Sequence, residues 1–289
     1  MSMHIVGVHG IWQGNTNAVK LSADWSGALT RGLRRYHGAH CPIPPLTVSH
    51  YGRLFRSPAQ HLGPGADETW VEEIPINNEE EAFILDTLDP YLPDGVDTAS
   101  LPVDTLGLGI PYVPRQLAHA LVAVDHKAGR GTGQWLLRII RQVYRYLHDD
   151  DGYGSPIRDL VAEELHRPGP RVVIAHSLGS VIVFDMLTRK DIGPGPDGLQ
   201  YLVTCGSPLA WPTIHRSLGH DGLLRIPQGV GWLNLHAAGD VVAQSRGLAH
   251  VAPGVHDEAV HNGVAEPHSV VRYLAQQPLA DLIAKTAAD

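Results

Sequence analysis

Two cysteines, Cys41 and Cys205, are the chain's whole stock of sulfhydryls in 289 residues. Cys205 falls in a segment that reads as a buried strand, so no disulfide framework is expected. No apolar run approaches the ~20 residues that a membrane helix requires, so no transmembrane segment is expected. The first residues, Met1 to Gly7, carry no basic stretch and lead directly into a strand-like run, so no secretory leader is expected and a cytoplasmic protein is the default. A basic excess is also missing: 22 Lys and Arg stand against 30 Asp and Glu, for a formal net charge of −8. That balance argues against nucleic acid and anionic lipid as partners. Histidine is plentiful, with 18 residues, and His256 and His261 share one segment. There is nevertheless no His-Glu-x-x-His and no cysteine ligand cluster, so neither a metal nor a cofactor is expected.

What the chain does have is concentrated in Arg171 to Asp185. The apolar run Val172-Val173-Ile174-Ala175 leads into His176-Ser177-Leu178-Gly179-Ser180, and a helix-length apolar segment begins at Val181. Strand, sharp turn and helix, with a serine at the tip, lift a hydroxyl out of the sheet edge and place it against a helix N-terminus. The pattern is that of a nucleophile elbow, written G-x-S-x-G, with Ala175 in place of the first glycine. Gly179 occupies the second small position, where the helix must pass close to the strand.

The rest of the chain alternates strands with helices. Strands are expected at His4–His9, Leu46–Tyr51, Arg171–Ala175, Leu199–Cys205, Trp232–His236 and Val255–Val260. Helices are expected at Ser22–His37, Pro156–His166, Leu178–Arg189 and Ser269–Ala275, the last taken as the final helix. That rhythm predicts an α/β fold with a mostly parallel sheet and helices on both faces. Residues 52–151 break the rhythm. They carry Pro/Gly-rich joints around helices at Asn78–Leu88, Arg115–Lys127 and Gly133–His148, the last with Leu136, Ile140 and Val143 on one face. They read as a helical cap inserted into a single domain spanning 1–289.

A serine hydroxyl is a poor nucleophile at neutral pH. It needs a histidine base, and the base needs a carboxylate to hold its tautomer. The order Ser, Asp, His is available here. Asp240 follows the strand Trp232–His236 after a small-residue turn, and His268 stands in the loop before the last helix. Asp257 is the rival acid, but it lies within a strand rather than after one. The oxyanion donors are expected to be the backbone N–H of Leu178, directly after the nucleophile, and that of Ile11, in the loop after the first strand. Trp12, Tyr51, Leu209 and Trp211 are candidates for lining a substrate pocket.

With these segments in place, the chain resembles serine hydrolases of the α/β-hydrolase superfamily. It is closer to bacterial lipase-like, GPI-inositol-deacylase-like and phospholipase-like hydrolases than to peptidases. The resemblance rests on Val8-His9-Gly10-Ile11, Ala175-His176-Ser177-Leu178-Gly179-Ser180, Val203-Thr204-Cys205-Gly206-Ser207-Pro208-Leu209, Trp232-Leu233-Asn234 with Asp240, and His268-Ser269. It covers roughly residues 3–50 and 153–280 and leaves the cap without a motif. It implies an α/β-hydrolase fold with Ser177 as nucleophile, His268 as base and Asp240 as its orienting acid. The expected reaction is hydrolysis of a carboxylic ester, small-molecule or lipid-like, through an acyl-enzyme. An acyltransferase, thioesterase or macrocyclising enzyme would use the same acyl-enzyme. A catalytically inactive binding protein on the same fold is the alternative from another class.

Overall fold

The chain's fold is given by a computed structural model that describes residues 3–11, 13, 16–55, 75–92, 113–149, 152–166, 171–195 and 198–288. Short β-rich apolar runs become six strands: β1 His4–Val8, β2 Leu46–Ser49, β3 Arg171–His176, β4 Leu199–Cys205, β5 Gly231–Ala237 and β6 His256–Val260. They form one sheet in the order β2-β1-β3-β4-β5-β6, and every pairing is parallel. The central strand β3 is buried along its whole length. A parallel strand covered on both faces needs an unbroken apolar run, which Val172 to Ala175 supplies.

Side chains alternate across the sheet. On one face Ile5, Val172, Ile174, Val203, Leu233 and Leu235 form a core with Trp25, Leu29 and Leu33 of α1 (Ala18–His37) and with Leu279 and Ile283 near the C-terminus. Trp232, one residue out of phase with Leu233, turns to the other face. There it packs against Phe184 of the helix that follows Ser177, with ring centroids 5.7 Å apart. Helices therefore cover both faces. The first of them starts where its cap dictates: the Asn17 side chain accepts the Lys20 N–H at 2.8 Å, satisfying an otherwise orphaned donor.

The chain divides into two compact units. The sheet belongs to the first, made of Met1–Leu54, Ser155–Ala210 and Ile214–Asp289. The second comprises Phe55–Gly154 with Trp211–Thr213. Its described helices are α2 Asn78–Leu88, α3 Arg115–Ala128 and α4 Thr132–His148. Asp125 joins the last two by accepting the N–H groups of Gly131 and Gly133 at 3.0 and 2.7 Å. Within this unit the buried Arg141 grips buried Glu80 through Nε at 2.7 Å and Nη2 at 3.3 Å. Leu136, Ile140 and Val143 of α4 are fully buried.

The other helices of the alternating part are α5 Gly154–Leu165, α6 Leu178–Arg189, α7 Pro212–Leu218, α8 Val270–Tyr273 and α9 Gln277–Ala288. Two of these correct the sequence expectation. The last helix is not Ser269–Ala275: that segment shortens to α8, and the chain continues into α9. Pro278 is the second residue of α9, where a missing N–H costs nothing. Leu279 and Ile283, one turn apart, supply its apolar stripe. In the same way, Pro212 opens α7, between the expected strands Leu199–Cys205 and Trp232–His236, where no helix was expected. Among the described residues no helix is long and apolar enough to cross a membrane.

Candidate active site

The turn between β3 and α6 carries the site. Ser177 has φ 54° and ψ −126°, a conformation that costs a non-glycine residue of order 1–3 kcal/mol. Its surroundings hold it there. The Ser177 N–H donates to Cys205 O at 3.1 Å, and its carbonyl accepts the Ser180 hydroxyl at 2.6 Å. That hydroxyl also meets Ser207 Oγ at 2.7 Å. Gly179 must lack a side chain, because a Cβ there would approach His9 O to 2.7 Å and collide with Val8 O. Ala175 fits two residues before the serine as a fully buried strand residue, paired with Val8 and Thr204. Ser177 Oγ is buried and makes no hydrogen bond among the described residues.

The carboxyl ends of β1, β3, β4 and β5 bring the other groups to this point. A cleft of about 230 Å³ is lined by Ser177, His268, Gly10 and Ile11, among others. His268 Nδ1 lies 2.9 Å from both carboxylate oxygens of Asp240, which is 1% exposed. The imidazole therefore carries its proton on Nδ1 and turns Nε2 away from the carboxylate. Asp240 Oδ1 also accepts the Val242 N–H at 3.0 Å, and Oδ2 accepts the Tyr273 hydroxyl at 2.7 Å. Burial pushes this carboxyl up, but His268 and the Tyr273 hydroxyl outweigh it and hold Asp240 below the usual range. Gly206, at φ 55°, makes room for the pair: a Cβ would come within 2.8 Å of Asp240 Oδ2 and 3.0 Å of His268 Nδ1.

The rival acid has a different task. Asp257 accepts the N–H groups of Leu248 and Ala249 at 2.8 and 2.5 Å and the Asn234 amide at 2.7 Å. Asn234 in turn accepts the Thr204 hydroxyl at 2.7 Å, and Trp232 Nε1 donates to that hydroxyl at 3.0 Å. The chain of bonds fastens the 244–249 turn to β4, β5 and β6.

Two further histidines frame Ser177. His9 donates Nδ1–H to its neighbour's carbonyl, Gly10 O, at 2.5 Å, and its Nε2 accepts the Tyr51 N–H at 3.3 Å. Burial depresses His9 to about 3. Because the peptide is planar and trans, fixing the Gly10 carbonyl also fixes the Ile11 N–H, which points the opposite way. His176 donates Nε2–H to His268 O at 2.9 Å, and burial likewise depresses it to about 3. Both rings are therefore neutral fixtures near pH 7.

The structure thus brings Ser177, Asp240, His268, Ile11 and Leu178 to one end of the sheet. The expected pocket residues are placed otherwise. Tyr51 is fully buried, stacked on His9 with ring centroids 4.0 Å apart, and its hydroxyl donates to His9 O. Leu209 is fully buried in the short helix Pro208–Ala210, and neither residue is among those lining the cleft. Trp211 is buried in the second unit, its ring nearly perpendicular to that of Tyr91. Trp12 lies outside the described residues. Sequence reasoning missed Tyr273, His9 and His176. His9 and His176 stand beside residues it had singled out, whereas Tyr273 has no local signature.

A larger hollow of about 680 Å³ opens at the opposite end of the sheet, against Gly231, His256 and α9. Among the described residues it offers no serine, threonine or cysteine, and its carboxylates Glu258 and Asp281 are engaged by His256 and His37, each at 2.8 Å. Ser177 lines the smaller cleft. Among the described residues no group of three or more His, Cys, Asp or Glu is placed to hold a metal ion. Comparison of the chain with protein-family models, curated proteins and solved structures returned no match.

Proposed function

We propose that this protein is a serine hydrolase with an α/β-hydrolase fold, cleaving a small-molecule or lipid-like carboxylic ester through an acyl-enzyme on Ser177. One observation carries the reading. A serine held in a strained strand-to-helix turn shares a cleft with a histidine whose Nδ1 is committed to a buried carboxylate. A capping serine would need neither the strain nor the pair.

The chemistry follows from the roles. Ser177 Oγ attacks the acyl carbon while its proton passes to His268 Nε2, and the carbonyl π pair moves onto oxygen. The Leu178 and Ile11 N–H groups stabilise that oxyanion. Collapse expels the alcohol oxygen, which takes the proton from His268. Water then attacks the acyl-enzyme, gives its proton to the same nitrogen, and Ser177 Oγ leaves with that proton. Asp240 stabilises the imidazolium in both halves and stays ionised throughout.

In this reading residues 52–151 are a helical insertion in the hydrolase chain. The reaction itself is tested with a panel of nitrophenyl esters. Turnover by the wild type and a loss of at least ~10³ in Ser177→Ala are expected, because only the attacking oxygen is removed. A folded Ser177→Ala variant that turns over at the wild-type rate contradicts the proposal.

A further inference from the structure

The least explained feature of the site is a phenol. Tyr273 is the last residue of α8, five positions after His268, and is fully buried. Its oxygen makes two hydrogen bonds. It accepts the N–H of Ala237, the final residue of β5, at 3.0 Å, and donates to Asp240 Oδ2 at 2.7 Å. A tyrosine hydroxyl has one proton. With a lone pair committed to the Ala237 N–H, that proton is aimed at the carboxylate. A buried phenol needs a hydrogen-bond partner; this one takes the carboxylate that faces His268.

We propose that Tyr273 is a positioning residue for the triad, clamping the Asp240 carboxylate so that it faces Nδ1 of His268. The inference rests on the serine-hydrolase reading above. The clamp links three elements. β5 ends at Ala237, three residues before the acid, and orients the hydroxyl. The hydroxyl fixes Oδ2, and the Val242 N–H fixes Oδ1. The helix that presents the clamp begins two residues after the base. A shift in α8 would therefore move the acid and the base together and preserve their pairing.

The phenol stays protonated, because burial and the Asp240 charge push it upward. The other titratable groups facing this cluster are His176 and Cys205. Burial keeps the first neutral and the second a thiol across the working range. Sharing the carboxylate's charge with the phenol weakens its pull on a positively charged partner, so removing the phenol should move the acid limb of kcat/KM to higher pH.

Tyr273→Phe removes one oxygen and keeps the ring. It is expected to lower kcat roughly tenfold, about the size of a hydrogen bond to a charged group, with KM unchanged. The acid limb of kcat/KM should move to higher pH. A structural role alone would lower the melting temperature and leave the limb in place, and that result overturns the proposal. Where Tyr273→Phe does not fold, 3-fluorotyrosine at position 273 serves. Its more acidic hydroxyl donates more strongly, and the limb should move to lower pH; an unmoved limb again overturns the clamp. Ser177→Ala, assayed alongside, separates the two levels. Retained turnover there removes the serine reading and the inference with it, whereas lost turnover beside an unaltered Tyr273→Phe removes the inference alone.

Discussion

Acidification should destabilise this protein steeply, and the size of the effect can be worked from two rings. His9 and His176 are buried and depressed to about 3, burial being the largest cause for each. In the unfolded chain each titrates near ~6.5. Between those values the unfolded state binds protons that the native state refuses, so stability falls as pH falls. The stability is fully present above ~6.5 and erodes continuously toward ~3. At pH ~5 each ring costs about 2 kcal/mol relative to neutral pH, and the pair about 4. Against a total of ~5–15 kcal/mol this is a large fraction. His215 and His250 are lowered too, burial again foremost, and act with the same sign. Thermal melts followed by circular dichroism at pH 7.5 and at pH 5 are expected to differ by roughly 10 °C. His176→Asn should remove about half of the pH dependence, since asparagine does not titrate. Equal midpoints at the two pH values would refute the claim that both rings are buried and neutral.

Three more outcomes follow. Asp240→Asn should lower kcat by up to ~10⁴ by disrupting the tautomer of His268, with little change in fold by circular dichroism. Asp257→Asn should show the converse, a lowered melting temperature with kcat largely kept, because its carboxylate serves the 244–249 turn; kinetics and melts on the two variants together check the assignment. In the second unit, Glu80→Ala removes the carboxylate to which the buried Arg141 donates through Nε and Nη2 and should cost about 1.5–3 kcal/mol in urea unfolding, with part of that recovered in Glu80→Gln.

Local chemistry made some of this architecture legible in the sequence and left the rest hidden. The helix at Leu178–Arg189 and the strand at Leu199–Cys205 end where expected because glycine, proline or a cap marks their limits. Asn78–Leu88 does so because Asn77 precedes it and caps it, accepting the Glu80 N–H at 2.8 Å. The choice of Asp240 over Asp257 rested on position after a strand; in the structure Asp240 pairs with His268, and Asp257 with the Leu248 and Ala249 N–H groups. What stayed hidden is tertiary. The bond from Tyr273 to Asp240 joins residues 33 apart in sequence, and no periodicity announces it. The stacking of Tyr51 on His9 likewise depends on β2 lying beside β1. A large aromatic near a loop reads as a pocket wall until the neighbouring strand is known. The helix Gln277–Ala288 lies beyond the segment expected to be the last helix, and Pro278 is harmless at its second position.

The central claim is that Ser177 is an activated nucleophile, and covalent labelling tests it most directly. A fluorophosphonate reacts with a serine whose proton a neighbouring base removes, whatever the native substrate. Intact-mass analysis followed by peptide mapping should find one adduct, on Ser177, with none on the folded Ser177→Ala variant and much slower labelling of His268→Ala. A folded wild-type chain that stays unmodified, or an adduct on another residue, would contradict the account.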